Sequence, residues 1–442
     1  MIKRIDEAVE RHRELILRAE RDIWGMPETG YKEYKTTAYL AERYEALGYK
    51  LVRPENITGF YTEIDTGREG PTLLILGELD SVICPGHPES DPETGAVHSC
   101  GHHAQSATLL GIAAALTEPG MLDGLSGRIK LCAVPAEELL EIGFRTELRK
   151  KGIIRYLGGK SEFMSRGFFD DVDLAFMVHT SKVNTSLLGS VGCIAKTVTY
   201  KGKAAHAGGS PWNGVNALYA ATAGINAVNS IRETFKDADL IRFHPIITEG
   251  GSMVNAIPER AKIETYVRGL SYDGIKNTNK RINRALVGAA LSLGANVEIE
   301  DSPGYAPLHN SPEMIKVYCD AYKELTGEEI KPTNEYSTGS TDMGDLSAVM
   351  PVVHPYCAGS VGTSHGADYY INDPVAACVT NAKVQLVMAR LLLSDGAKRA
   401  WEIVEGYDAP FKSIAEFLEY QDSILDSGDR IEYNEEGANV RL

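Results

Sequence analysis

The chain has 442 residues, of which 43% are hydrophobic and 24% charged, a composition typical of an ordinary globular protein and not of a fibrous or disordered one. Because single hydrophobic cores rarely grow this large, the length predicts two domains. The 45 Lys and Arg against 61 Asp and Glu give a formal charge of -16. This charge repels phosphate backbones and anionic membrane surfaces, so we expect neither nucleic acid nor a membrane as a partner.

The start of the chain predicts a charged amphipathic helix, without the apolar core of a secretory signal. No apolar run is long enough to span a bilayer. The seven cysteines are widely spaced and indicate no disulfide framework, which favours a reducing compartment. We therefore expect a cytoplasmic protein.

Three buried strands are predicted in the first part of the chain, and each is followed by polar residues capable of chemistry. They are 73–76 before Glu78 and Asp80, 129–134 before Glu137 and Glu138, and 174–178 before His179. Continuous apolar strands separated by helices indicate an α/β domain with a mixed, largely parallel sheet and helices on both faces. Ligands bind at the carboxyl ends of such strands, so we expect these side chains to converge.

A different pattern follows, in which strands and helices alternate in the order β-α-β-β-α-β. The elements are strand 197–200, helix 215–228, strands 246–247 and 261–268, helix 275–289 and strand 296–300. This order is that of a ferredoxin-like α+β module. We predict that residues 188–303 form this smaller domain, inserted into a larger one made of 1–187 and 304–442.

The α/β pattern resumes after Pro303, with helices predicted near 312–325 and 376–394. Residues 335–344 form a loop rich in glycine and hydroxyl side chains. The last forty or so residues are predicted to be a peripheral tail of the larger domain. We find no internal repeat.

The densest group of ligand-type residues surrounds Cys100 and precedes an apolar helix at 107–116. Cys100 and His102 are two apart, so in an extended segment both side chains point to one face and can hold one metal ion. A thiolate and an imidazole suit zinc, manganese, cobalt or nickel. The alternative is the start of a helix with a buried cysteine and solvent-facing histidines.

The adjacent carboxylates Glu137 and Glu138 point in different directions, so one can bind metal while the other takes a proton from metal-bound water. Such a pair alone is more often a solvated turn. His179, at the ligand edge of a predicted sheet, is equally consistent with a ligand and with a structural residue.

Together these pieces resemble the M20 peptidase family, specifically its amidohydrolase branch, which includes aminobenzoyl-glutamate, hippurate and auxin-conjugate hydrolases. The matching motifs, spread over most of the chain, are Pro27–Tyr31, Glu78–Asp80, His98–His102, Pro135–Glu138, Gly202–Gly208, Asn255–Pro258, Arg268, Ser340–Asp342 and Ser364–His365. The segments at Glu78 and Ser340 look closest to the B subunit of aminobenzoyl-glutamate hydrolase. The resemblance implies a zinc-peptidase-like catalytic domain with an inserted lid and dimerisation domain.

The resemblance also implies two divalent ions per chain (Zn, Mn, Co or Ni). Cys100 would bridge them, His102 and His179 would complete one site, and Glu138 and His365 the other. The protein would then be a metal-dependent amidohydrolase that cleaves the amide bond of a small N-acyl or N-aroyl amino acid conjugate.

The remaining roles also follow from the resemblance. Glu137 would be the base and then the acid, and Asp80 would orient a metal ligand. His206 would reach the active site of a second subunit in a homodimer and polarise the scissile carbonyl. Asn255 and Arg268 would contact substrate, Arg268 through a free carboxylate; otherwise Arg268 is a strand residue paired with Glu264.

The chain departs from the branch at His103 and Gln105, where Asp and a further His are frequent. We expect structural roles for the other nearby histidines, which are His87, His98 and His354. Two alternatives stay open: a dipeptidase or N-acyl amino acid deacylase of the same fold, and a catalytically silent metal-binding regulatory protein.

Overall fold

The computed structural model describes residues 2–442 and divides into two compact units. The larger unit runs up to Gly189 and resumes over Leu308–Ser337 and Thr341–Ile414. The smaller unit comprises Ser190–Pro307, Thr338–Ser340 and Ala415–Leu442.

The part of the chain before Ser190 carries six helices and the first strands. The helices are α1 (Ile2–Arg11), α2 (Arg13–Trp24), α3 (Tyr34–Ala46), α4 (His102–Leu116), α5 (Ile142–Lys150) and α6 (Gly159–Ser165). The strands are β1 (Phe60–Asp65), β2 (Thr72–Glu78), β3 (Val82–Ile83), β4 (Ala96–Val97), β5 (Arg128–Val134), β6 (Leu174–Phe176), β7 (His179–Ser181) and β8 (Gly189–Ser190).

The central part of the chain contains five strands, two long helices and short 3-10 turns. In chain order its strands and long helices are β9 (Gly192–Lys201), α7 (Ala217–Ile231), β10 (Arg242–Phe243), β11 (Ile246–Glu249), β12 (Arg260–Gly269), α8 (Tyr272–Ser292) and β13 (Asn296–Tyr305).

The last part of the chain returns to the larger unit and ends in the smaller one. Its helices are α9 (Pro312–Thr326), α10 (Met343–Ser347), a π-helical turn (Val375–Thr380) leading into α11 (Asn381–Leu393), α12 (Lys398–Glu405) and α13 (Ile414–Asp422). Its strands are β14 (Leu308–His309), β15 (Tyr336–Ser337), β16 (Val352–Val353), β17 (Tyr356–Ala358), β18 (Ser360–Val361), β19 (Tyr370–Ile371), β20 (Ile431–Asn434) and β21 (Gly437–Val440).

The main sheet of the larger unit has the strand order β1-β5-β2-β6-β16. Strands β5, β2, β6 and β16 run parallel, and β1 is antiparallel at one edge. Every residue of β2 is buried, which requires cover on both faces of the sheet. The predicted mixed, largely parallel α/β domain is therefore confirmed, although the sequence did not reveal β1.

Helices α2, α4 and α11 and the π-helical turn pack together in the main hydrophobic core. The stretch Val375–Leu393 has the length and mean hydropathy of a membrane span, but 67% of it is buried inside the protein. It is therefore placed as a core helix of this unit.

The smaller unit is an antiparallel sheet in the order β10-β12-β9-β13, and β11 also pairs with β12. Helices α7 and α8 pack against each other and against β9 and β12. The chain order and strand order are those of the ferredoxin-like module expected from the sequence.

The C-terminal segment differs from the expectation of a tail on the larger domain, because residues 415–442 belong to the smaller unit. Isolated bridges join Asp426 to Asp301 and Asp429 to Glu298 along β13. Ile431 is buried in the core of the smaller unit. Sequence patterns do not reveal such an association, since a strand edge is completed by backbone hydrogen bonds that almost any residue can make.

Candidate metal centre and lid residues

Cys100 and His102 are brought together by a turn and not by an extended segment as predicted. Helix α4 begins at His102, five residues before the predicted start, and Gly101 before it has a left-handed φ of 99°. A Cβ at Gly101 would collide with the hydroxyls of Thr180 and Tyr369. Glycine therefore allows the tight turn that directs both side chains to one place.

His179 lies beside Cys100, with its Nε2 3.3 Å from the Sγ. Its Nδ1 lies 2.8 Å from the carbonyl oxygen of Thr180, which can only accept, so Nδ1 carries the proton and Nε2 has a lone pair. Ligand atoms of Cys100, His102 and His179 all lie within 4.8 Å of one another.

Asp80 contacts both His102 and the turn that carries Glu137 and Glu138. Its backbone and Oδ1 oxygens lie 2.9 and 3.2 Å from His102 Nδ1, which fixes that nitrogen as the donor. Its Oδ2 accepts a hydrogen bond of 2.8 Å from the backbone N–H of Glu138. Asp80 thus orients both the imidazole and the turn that carries the paired carboxylates.

That turn follows β5 and is held in a strained conformation. Ala136 has a left-handed φ of 57°, although it is not glycine. Its N–H donates to Glu33 at 2.8 Å, and the buried Arg145 donates to the carbonyl of Glu138. These contacts direct Glu137 and Glu138 into the protein, so the pair is not a solvated turn.

Glu138 pairs with His365, whose Nε2 is 2.9 Å from the Glu138 Oε1. His365 also has a left-handed φ, of 63°, and its N–H donates to the carbonyl of Ser99 at 2.8 Å. Ligand atoms of Cys100, Glu138 and His365 all lie within 4.8 Å of one another. Cys100 is therefore common to two groups of three ligand-type residues.

The two glutamates of the pair have opposite electrostatic environments. Burial, and then the neighbouring Glu78 and Glu138, raises the pKa of Glu137 well above its usual range. Burial also acts to raise the pKa of Glu138, but His365 outweighs it and lowers that pKa to about 2. Such divergence suits one carboxyl that exchanges protons and one that stays ionised as a ligand.

The donor set suits divalent metal ions. Burial acts to raise the pKa of the Cys100 thiol, but His102 and His179 lower it to about 6, which favours the thiolate. The buried atoms His102 Nε2 and Glu138 Oε1 lie 3.1 and 2.9 Å from Glu78 Oε2 and His365 Nε2, but the described residues give neither of them a hydrogen bond of good geometry. Buried imidazole, thiolate and carboxylate atoms without good hydrogen bonds are the ligands that a first-row metal ion would bind.

The two departures from the family pattern contact residues outside the two groups that share Cys100. His103 Nε2 lies 3.2 Å from Glu20, and its ring packs edge-on against Trp24 at 4.9 Å. Gln105 Oε1 accepts from the backbone N–H of Glu78 at 3.3 Å. Both residues belong to helix α4 and are buried.

The three histidines near the motifs for which structural roles were expected have contacts of a structural kind. His87 packs against Tyr370, and His98 is buried 5.3 Å from the ring of His103. His354 follows β16 and donates through Nδ1 to the carbonyl of Met177 at 2.9 Å.

Two buried charged residues lie at the site although the sequence did not predict them as site residues. Glu78 lies next to His102, and Lys160 forms ion pairs with Glu78 and with Asp342. Glu78 was visible at a strand end, but nothing in the sequence around Lys160 indicated its position.

In the smaller unit, His206 and Asn255 lie together beyond one end of the β9–β12 ladder. His206 is bridged to Ala256, and the N–H of Ala207 donates to the carbonyl of Asn255 at 2.9 Å. Both side chains are exposed. The N–H groups of Gly208 and Gly209 donate to His206 Nδ1 at 3.2 and 2.8 Å, so its proton resides on Nε2.

Arg268 lies at the opposite end of that ladder, where it pairs with Cys193. Its Nε donates to His244 Nε2 and its terminal nitrogen to Ser340 Oγ, both at 3.2 Å. Glu264, the alternative partner, pairs instead with Lys262 at 2.6 Å. These two contacts are to neutral acceptors, so neither offsets the charge of the guanidinium, which can still pair with an anion.

The α/β sheet and the two groups of Cys, His and Glu ligand-type residues define a metal-binding hydrolase. The family model of Peptidase family M20/M25/M40 matches residues 74–390, and the chain belongs to this family. The resemblance that the motifs indicate is confirmed. The protein is accordingly a metal-dependent hydrolase of amide bonds.

Two relatives of the chain are named for different amide substrates. The chain is 31% identical over 384 residues to the Xaa-Arg dipeptidase of Homo sapiens, covering 83% of this chain and 80% of the relative. It is 28% identical over 308 residues to the B subunit of p-aminobenzoyl-glutamate hydrolase from Escherichia coli (strain K12), covering 66% and 59%.

Two solved structures confirm the fold. An aminobenzoyl-glutamate utilization protein from Klebsiella pneumoniae has a TM-score of 0.64 at 20% identity, covering 87% of this chain and 98% of that one. A dinuclear metal-binding peptidase of the M20 family from Bacillus subtilis has a TM-score of 0.63 at 19% identity, covering 87% and 99%.

Proposed function

We propose that the protein uses two divalent ions to hydrolyse the amide bond of an N-acyl or N-aroyl amino acid conjugate similar to aminobenzoyl-glutamate. The observation that carries this proposal is the position of Cys100 in two ligand groups, one with His102 and His179 and the other with Glu138 and His365. A thiolate shared in this way is suited to bridge two ions, and zinc, manganese, cobalt and nickel all accept this donor set.

The ions would supply a bound water of lowered pKa and a Lewis acid for the scissile carbonyl. Glu137 would take a proton from the attacking water and later pass it to the departing nitrogen. The buried position of Glu137 and its raised pKa support a group that exchanges protons. Asp80 keeps His102 in the tautomer whose Nε2 can bind a cation.

His206 is proposed to donate a hydrogen bond to the scissile carbonyl oxygen. Two backbone N–H groups occupy its Nδ1 as acceptor, which leaves an Nε2–H donor directed outward from the loop. A donor of this kind stabilises the negative charge that develops on the carbonyl oxygen during attack.

Arg268 is proposed to bind the free carboxylate of the amino acid, with Asn255 as a further substrate contact. The guanidinium is fixed by His244 and Ser340, and it retains N–H groups for a carboxylate. Because the guanidinium group is already fixed, less conformational entropy is lost when the substrate binds.

We further propose that the protein is a homodimer, assembled through the smaller unit. The outer edge of that unit's sheet, at β11, is exposed along its whole length, including Ile246 and Ile247. Met253 and Val254, in the loop that follows β11, are also exposed, as is Trp212 in a 3-10 turn of the same unit. An unpaired strand edge next to an apolar patch is suited to pairing with its own copy.

A dipeptidase activity is the second candidate, favoured by the 31% identity to the Xaa-Arg dipeptidases. Both candidate substrates have an amide bond and a free carboxylate, so the same site serves either. The proposed compartment is the cytoplasm, with a small-molecule substrate and neither nucleic acid nor membrane as partner, consistent with the acidic chain.

The test compares hydrolysis of N-aroyl-glutamates, N-acyl amino acids and Xaa-Arg dipeptides by the purified protein, before and after removal of metal with a chelator. Elemental analysis is expected to approach two divalent ions per chain, and Glu138→Ala is expected to lower this number. Full amidase activity in metal-free protein would contradict the proposal, and the preferred substrate distinguishes the two candidates.

A further inference from the structure

Glu78, the last residue of β2, lies in a fully buried ion network. Its Oε1 accepts a hydrogen bond of 2.7 Å from Lys160 Nζ, and Lys160 also pairs with Asp342. All three side chains are at most 1% exposed. One lysine thus faces two carboxylates, so its single positive charge balances only one of them.

The second oxygen of Glu78 faces the site. Glu78 Oε2 is 3.1 Å from His102 Nε2, and Asp80 already holds the proton of His102 on Nδ1. In the neutral imidazole, two lone pairs therefore face each other in the protein interior. Neither atom has a hydrogen-bond partner among the described residues. Such an arrangement is repulsive unless a cation, either a proton or a metal ion, lies between the two atoms.

The spacing matches that of ligands on one metal ion. Two atoms each about 2.1 Å from the same ion are about 3.0 to 3.4 Å apart at octahedral or tetrahedral angles. The two proposed ligand pairs have similar separations, 3.3 Å for Cys100 and His179 and 2.9 Å for Glu138 and His365.

We propose that Glu78 is an additional metal ligand, which binds through Oε2 the ion held by His102. Lys160 and Asp342 are positioning residues in this arrangement. Lys160 occupies Oε1 and so leaves one oxygen of Glu78 for the ion. The inference rests on the proposed metal centre and adds a carboxylate ligand to it.

The matched control is Glu20, a second buried glutamate that faces a histidine. Its Oε1 lies 3.2 Å from Nε2 of His103, in helix α4 next to His102. His103 belongs to neither proposed metal site. Glu78→Gln and Glu20→Gln therefore make the same chemical change beside neighbouring imidazoles, only one of which is a proposed ligand.

The experiment loads the metal-free full-length chain with Co²⁺ and measures affinity by competition with a chromophoric chelator. The visible absorption spectrum of bound Co²⁺ reports its coordination. Glu78→Gln is expected to weaken the affinity for one ion by more than about a hundredfold and to change the spectrum. Loss of a residue that only orients a metal ligand weakens metal affinity by at most about a hundredfold. Glu20→Gln is expected to change neither.

Unchanged affinity and spectrum in Glu78→Gln would overturn the inference and indicate that a proton lies between the two atoms. Weaker binding with an unchanged spectrum would also overturn it, because Glu78 would then only orient His102. If Glu78→Gln does not fold, Glu78→Asp keeps the charge and withdraws the oxygen, and the same spectral change is expected. A wild-type chain that binds no Co²⁺ would instead contradict the proposed metal centre itself.

Discussion

His206 and Arg268 lie at opposite ends of one strand ladder. This predicts that the two residues of one chain act in two different active sites. Eight residue steps separate Arg260 from Arg268 on β12, and at about 3.3 Å per residue they span about 26 Å. His206 lies beyond the Arg260 end, through its bridge to Ala256. A small amino acid conjugate is far shorter than this span. If both residues contact one substrate, His206 must come from a second subunit.

Mixing two inactive variants tests this arrangement. His206→Ala and Glu137→Gln are purified separately and combined under conditions that allow subunits to exchange. Random exchange makes about half of the dimers hybrid, and one of the two sites in each hybrid contains both Glu137 and His206. Amidase activity is therefore expected to return to about a quarter of the wild-type value.

The control mixes each single variant with the double variant, because no hybrid in those mixtures has a complete site. Subunit exchange is verified by mass spectrometry of chains carrying different affinity tags. Absence of recovery despite proven exchange would refute the reasoning. A fully active monomer would refute it as well, and His206 would then act within its own chain or not at all.

Three further predictions concern single side chains. Glu137→Gln keeps the shape of the proposed base, so metal content should persist while kcat falls by roughly two to four orders of magnitude in a steady-state assay. His244→Ala removes a hydrogen bond that fixes Arg268. It should raise KM about tenfold for substrates with a free carboxylate but not for the matching carboxamides, with kcat unchanged. An equal rise in KM for both substrate types would contradict a carboxylate contact. Burial, and then Asp80, raises the pKa of Glu33 to about 8 from 4.5. The unfolded chain loses this proton first, so stability falls by up to about 5 kcal/mol as pH rises from 4.5 to 8. Glu33→Gln should therefore raise Tm relative to wild type at pH 8.5 and not at pH 4, measured by thermal unfolding.

The sequence predicted those parts of the fold that apolar periodicity controls. The strand expected at 129–134 is β5, Arg128–Val134, and the helix expected at 312–325 is α9, Pro312–Thr326. Gly327, with a φ of 79°, ends that helix, as glycine commonly does. In contrast, β1 is an edge strand with alternating exposure, and its sequence carries a weaker signal.

The site was predictable where a residue follows a strand and not where it arrives from elsewhere. Asp80 and Glu137 lie where the ends of β2 and β5 were expected. Lys160 reaches the same place from helix α6, through a contact with Glu78 across 82 positions of the chain. A lone lysine in a short helix is most often a surface residue, so only the packed structure distinguishes this one.

The C-terminal segment has a consequence for assembly. The sheet of the smaller unit has two edges, one at β13 and the other at β10 and β11, and either could pair with another chain. Along β13, the N–H of Ile299 donates to the carbonyl of Gly428, and the N–H of Arg430 donates to that of Val297. These bonds use backbone groups that a second copy would need. The C-terminal segment thereby blocks pairing at β13 and leaves β11 as the edge at which a second copy can join. Because β11 precedes the loop of Asn255, pairing at that edge also brings this loop and the neighbouring His206 close to the partner chain.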